Sequence, residues 1–220
     1  MVPRSSPTKP EPGLPLSGSV RACLKATGGK MIYEYDLEHM KLRTGDLICT
    51  SDGGGPGLKG QFWRLLGKMI PGDVDHIVIY TGPEGRCVEA GAKGRVITFN
   101  ISGDKWDYNA MYGERGIVDR LYGIVRPLQG KGLSPAAESQ ARETIANYCL
   151  EQATKGKPYN LNFLDSATDA AFYCSQLAYK AYLTVGINLN TDVGISDIPG
   201  TKNIIFPQEI WSGFQNERPL

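Results

Sequence analysis

Histidine is scarce in this chain: only His39 and His76 occur in 220 residues. No H-E-x-x-H segment and no pair of histidines with a nearby carboxylate is present, so a zinc or iron site would be short of nitrogen ligands and no metal is expected. The five cysteines, at 23, 49, 87, 149 and 174, contain no C-x-x-C pair and are odd in number. That excludes a zinc knuckle and a closed disulfide framework. No run approaches the roughly 18 uncharged apolar residues a membrane-spanning helix requires. Charge of one sign is also missing, with 24 Lys and Arg against 23 Asp and Glu and a formal charge of +1. Such a balance supplies no large basic field for a phosphate backbone, and nucleic acid is not expected as a partner.

Glycine and proline are abundant instead, at 27 and 14 residues. This means many turns and favours strands with loops over a helical bundle. At about 150 residues per domain the length fits one domain with elaborations. Residues 1–19, with five prolines and no apolar core segment, read as a disordered leader or an appended remnant, leaving 20–220 as a single domain. Localisation stays open between the cytoplasm and, had a signal segment been removed, the cell envelope or exterior.

Several elements are legible in the pattern. Met31-Ile32-Tyr33-Glu34-Tyr35 suits an edge strand, and Arg43-Thr44-Gly45-Asp46 turns the chain into a strand at Leu47-Ile48-Cys49-Thr50. The glycines between Ser51 and Gly60 match no phosphate-binding fingerprint and read as a mobile loop over a site. Phe62, Leu65, Leu66 and Met69 stand at helical spacing and predict a short helix whose apolar stripe covers one face of the protein, ended by Pro71-Gly72. Two strands around Gly82-Pro83-Glu84-Gly85 form a hairpin, with further strands near 96–99 and 123–126 and a loop over 102–116. Ser134-Pro135 starts a helix ending near Thr154. Another helix, beginning near 169–172 and closed by Gly186, carries Cys174, Leu177, Ala181 and Val185 on its core stripe. A short one is expected at 207–211. The sum is an α+β fold with an antiparallel sheet of about four to six strands packed on helices.

Thiol-dependent acyl chemistry needs a thiolate, an imidazole, a group that orients the imidazole and donors for an oxyanion. Cys174 falls in the first turn of a helix, where unpaired amides and the helix dipole favour a thiolate. Its own amide is a natural oxyanion donor. In the hairpin, a two-residue loop at Pro83-Glu84 pairs Val78 with Glu89. His76 then becomes the diagonal neighbour of Glu89 on one face, roughly 7 Å away between backbones. An odd loop would place the two on opposite faces.

Taken in order, Thr44-Gly45-Asp46-Leu47-Ile48, Asp75-His76-Ile77-Val78-Ile79-Tyr80, Val88-Glu89-Ala90, Gly156-Lys157-Pro158-Tyr159-Asn160 and Tyr173-Cys174-Ser175-Gln176-Leu177-Ala178-Tyr179 carry a resemblance. The chain resembles the YiiX-like group, the circularly permuted branch of the NlpC-type papain-like cysteine hydrolases, over roughly residues 43–211. The resemblance implies a permuted papain-like core with the histidine strand ahead of the nucleophile helix. It also implies Cys174 as nucleophile, His76 as base and Glu89 as the orienting group, with Tyr159, Tyr173 and Ser175 binding substrate. Asn160 stands where the group is expected to carry an acid. No cofactor is implied. The implied activity is a cysteine peptidase or amidase acting through a thioester on small peptides, such as cell-wall stem peptides, on amino-acid amides or on lipid amides. Two alternatives stand beside it: a lipid acyltransferase or esterase like lecithin:retinol acyltransferase, and an inactive binding module on the same frame.

Overall fold

Short β-branched and apolar runs separated by turn residues dictate the centre of the fold. The computed structural model describes residues 32–220; the leader at 1–19 and Cys23 lie outside the described residues. The described residues open with a separate hairpin, β1 (Glu34–Leu37) and β2 (Met40–Arg43). The principal sheet consists of β3 (Leu47–Gly54), β4 (His76–Tyr80), β5 (Arg86–Ala90), β6 (Val96–Asn100), β7 (Val118–Val125) and β8 (Asn216–Glu217). Its six strands run in the order β6-β5-β4-β3-β7-β8, and every neighbouring pair is antiparallel. Among the described residues five α-helices accompany it: α1 (Gly57–Met69), α2 (Tyr108–Arg115), α3 (Pro135–Thr154), α4 (Cys174–Leu183) and α5 (Pro207–Gly213). The architecture is therefore α+β, with an antiparallel sheet.

Strand alternation divides the core in two. Leu47, Cys49, Ile77, Ile79 and Val88 face one way and pack with Ile145 and Cys149 of α3 and Leu177, Ala178 and Ala181 of α4. Ile48, Val78, Tyr80, Cys87 and Phe99 face the other way and meet Leu37, Met40 and Leu42 of the first hairpin, with Trp106 and Met111. The turn into β3 is locked from the helical side. Gly45 takes a left-handed conformation (φ 90°), Arg142 of α3 donates to Asp46 Oδ1 at 2.7 Å, and the Tyr182 hydroxyl of α4 donates to the Gly45 carbonyl at 2.5 Å. The Thr44-Gly45-Asp46 motif is thus a structural joint between sheet and helices.

Four expectations are corrected by the structure. The glycine segment is not a loop: β3 extends to Gly54 and α1 already begins at Gly57. The stripe containing Phe62 and Leu65 does not cover the protein, because both side chains are exposed. Glycines make the inward contact instead; a Cβ on Gly60 would come within 1.9 Å of the Gly55 carbonyl oxygen. The region 102–116 contains α2, started by Asp107, whose carboxylate accepts from the amides of Asn109 and Ala110, and ended by left-handed Gly116. Finally, the helix that carries Cys174 starts at Cys174 itself rather than near 169–172, because Tyr173 takes extended backbone angles as its N-cap.

Candidate active site

The hairpin register decides whether His76 and Glu89 can meet. Ile79 pairs with Val88 and Tyr80 with Cys87, which continues to Val78 opposite Glu89. Residues 83–85 form a single 3-10 turn, and the parity of the loop brings His76 and Glu89 to the same face. His76 Nε2 lies 2.8 Å from Glu89 Oε2, with both residues buried. Because β4 starts at His76, the ring stands at the sheet's end, near enough to Cys174 on α4 to feel its charge. With Nε2 engaged by the carboxylate, Nδ1 is the nitrogen left for sulfur. Burial by itself would depress the His76 imidazolium. The charge of Cys174 beside it, together with the hydrogen bond and charge of Glu89, outweighs burial and raises the His76 pKa well above its ordinary value.

Glu89 is itself held by Arg115, which the sequence reasoning did not single out. Arg115 is completely buried at the end of α2 and donates to Glu89 through Nη2 at 2.8 Å and Nε at 3.2 Å. Its other edge donates to Asp119 at 2.7 Å twice, from Nη1 and Nη2. Asp119 also accepts from Thr50 Oγ1 at 2.8 Å and Trp106 Nε1 at 3.0 Å. The guanidinium lies 4.9 Å from the ring centres of both Phe99 and Trp106. Burial pushes both carboxyls up, but the Arg115 charge, aided at Glu89 by His76, holds each below the usual carboxylate range. The only signal for this stack in the sequence was two charged residues, Arg115 and Asp119, four apart beside aromatics.

The start of α4 is fixed by amides and hydroxyls. Gln176 Oε1 accepts from the Tyr173 amide at 3.2 Å and from Asn160 Nδ2 at 3.0 Å, while Gln176 Nε2 donates to the Thr168 carbonyl at 3.1 Å. Asn160 Nδ2 donates to the Asp165 carbonyl as well, also at 3.0 Å. A carboxylate at 160 could make neither donation, which explains an amide there. The Ile205 amide donates to the Tyr173 hydroxyl at 3.0 Å, and Ser175 Oγ donates to the Ile205 carbonyl at 2.6 Å. The Ser175 hydroxyl is therefore engaged in holding the segment at 205. The first amides of α4 have no intrahelical acceptor, which makes the Cys174 N–H available to a developing oxyanion.

A cavity of about 350 Å³ opens beside Cys174. Ile70, Pro71, Phe163, Ile204, Ile205 and Phe206 wall it, and Tyr159, Tyr173 and Ser175 also contribute. Tyr159 reaches a second hollow of about 30 Å³, next to His76, Asp75, Gly53 and Gly67. That volume holds about one water molecule. There Asp75 Oδ2 accepts from the Gly53 amide at 3.1 Å, while Oδ1 has no partner among the described residues. Burial raises the Asp75 pKa, only partly offset by the Gly53 amide and the charge of His76.

No family model matches the chain, and no curated protein matches it. A solved structure described as the metalloprotein yiiX from Escherichia coli O157:H7, of the group DUF1105, is similar over 79% of this chain and 94% of its own, with a TM-score of 0.47 and 16% identity. The word metalloprotein describes that protein. Among the described residues of this chain, no three His, Cys, Asp or Glu side chains group so as to hold a metal ion. No helix among them is long and apolar enough to cross a membrane.

Proposed function

We propose that the protein is a cysteine hydrolase in which Cys174 is the nucleophile, His76 the general base and acid, and Glu89 the group that orients the imidazole, within a single permuted papain-like domain. The observation that carries this reading is the position of His76, beside Cys174 on one side and hydrogen-bonded on the other to a carboxylate that is itself ion-paired. The order of parts supports the permuted arrangement, since the histidine strand precedes the cysteine helix. In the reaction, the thiol proton passes to His76 as sulfur bonds to the carbonyl carbon of an amide. The Cys174 amide stabilises the oxyanion. Collapse breaks the carbon–nitrogen bond, His76 gives its proton to the departing amine, and a thioester remains. Water, losing a proton to His76, then releases the acid and restores the thiol.

The cavity beside Cys174 favours an apolar acyl portion, because its walls are aliphatic and aromatic. Lipid amides and amides of apolar amino acids fit this better than highly polar stem peptides. The same apolar cavity supports the second reading, acyl transfer to a lipid-like acceptor in place of water. Alkylation of Cys174 by iodoacetamide, followed against pH in the wild type and in His76→Ala, tests the proposal. Fast labelling that persists below about pH 7 and is slowed by His76→Ala is expected. An ordinary thiol profile indifferent to His76 overturns it and leaves a binding module.

A further inference from the structure

The helix α1 is amphipathic in the reverse of the usual sense. At about 100° per residue, Leu58, Phe62 and Leu65 fall within an arc of about 60°, while Gly60 and Gly67 lie on the opposite side. The glycine side is pressed against the protein: a Cβ on Gly60 would meet the Gly55 backbone and one on Gly67 would come within 2.8 Å of Asp75 Oδ2. Leu58 is 84% exposed and Leu65 62%. Large aliphatic side chains thus point away from the core, with half-exposed Phe62 between them.

Two further features qualify the surface. The helix sequence carries Lys59, Arg64 and Lys68 and no acidic residue. The C-terminal end of α1 leads directly into Ile70 and Pro71, which wall the Cys174 cavity. On another wall, Phe163 is flanked by Leu161 and Leu164, exposed by 64% and 61%. Exposed aliphatic groups therefore lie in the two segments that lead into the cavity walls.

We propose that the outward face of α1 docks on an anionic lipid surface, with Leu58 and Leu65 entering the headgroup boundary and exposed Lys68 meeting lipid phosphates. An apolar stripe on a convex helix with cationic flanks is the pattern of interfacial helices. Charge argues against a second copy of the chain, since symmetric pairing would set against itself a helix that carries basic and no acidic residues. Docking brings the Cys174 cavity to the bilayer, where an acyl chain can pass into it without crossing water; this consequence rests on the hydrolase reading, whereas the docking itself does not.

The test is co-sedimentation of the full chain with vesicles of phosphatidylcholine alone or mixed with phosphatidylglycerol, at physiological salt. The wild type and Cys174→Ala are expected to bind the anionic vesicles equally and the neutral ones weakly. The double variant Leu58→Glu/Leu65→Glu, which alters only exposed positions and is checked for folding by thermal melting, is expected to lose at least about tenfold in partitioning. Retained partitioning in the folded double variant, or no binding by the wild type, overturns the proposal. Self-association of the wild type that vanishes in the double variant without any vesicle binding also overturns it, assigning the face to a second copy. Because Cys174→Ala leaves the docking face intact, vesicle binding with an ordinary thiol profile would sink the hydrolase reading alone, and a reactive thiol without vesicle binding would sink docking alone.

Discussion

Replacing Arg115 by methionine tests the electrostatic logic of the site most directly. The side chain is fully buried, donates to Glu89 and Asp119, and lies 4.9 Å from the centres of two aromatic rings. Methionine preserves much of the packing and removes the charge, leaving two buried carboxylates without their cation. Breaking a buried ion pair by removing one partner costs about 3–5 kcal/mol. That is a large share of the roughly 5–15 kcal/mol that holds a domain folded. The consequence for His76 follows from the same change. Without Arg115, burial raises the Glu89 pKa, the carboxylate gives His76 weaker support, and the imidazolium titrates at lower pH than in the wild type. With two histidines in the chain, of which His39 lies exposed in the β1–β2 turn, the ring resonances can be followed separately by NMR. Urea unfolding measures the stability. Arg115→Lys, which keeps the charge and loses the fork, should fall between the two. Should Arg115→Met cost less than about 1 kcal/mol and leave the His76 midpoint in place, Glu89 does not depend on Arg115, and the reasoning fails.

Further outcomes follow from the same contacts. Cys174→Ala should abolish alkylation at this position and turnover, and the His76 midpoint should fall, since Cys174 is foremost among the groups that raise it. In the pH dependence of stability, Glu89 and Asp119 have lowered folded pKa values. Their contribution is present above the unfolded carboxylate range of about 4 and is lost as pH falls through the folded values, so acid unfolding should be blunted in Glu89→Gln. His76 works in the opposite direction. Its raised folded pKa gives stability present below about pH 6.5 that disappears as pH rises through the folded value, which unfolding series with and without His76→Ala should resolve. Gly60→Ala should cost about 1–3 kcal/mol and shift α1, because the added methyl meets Gly55 backbone, which has no rotamer to give.

The parts of the site that were legible rest on short-range geometry. His76 and Glu89 could be paired on paper because loop parity fixes which residues of a hairpin share a face, and the register turned out to match that loop. Cys174 at a helix start was readable from the apolar spacing that follows it, though not the helix's first residue, which depends on Tyr173 and the amides of Gln176 and Asn160. Arg115 was not legible. A charged residue in a polar, aromatic stretch reads as solvated, and only the tertiary fold places Phe99, Trp106, Glu89 and Asp119 around it. The orientation of α1 was misread for a related reason. Hydrophobic periodicity locates a stripe but not the direction in which it points, and here glycines secure the close approach that usually belongs to leucines.

The arrangement also explains how one imidazole can serve a charged stack and an apolar cavity at once. Val88 and Ala90 face the helices, so alternation sends Glu89 to the opposite face, where Arg115, Asp119 and Trp106 wait. Cys174 belongs to the helical side and faces the apolar cavity. A histidine in the middle of β4 would be confined to one side of the sheet by its neighbours; at the first residue of the strand, the ring can span both. The ion-paired carboxylate can therefore hold the imidazole without itself entering the cavity. An acyl chain there would meet hydrocarbon walls, and the polar groups closest to its carbonyl would be the ones that the proposed reaction requires, the Cys174 thiol, its amide and the His76 ring.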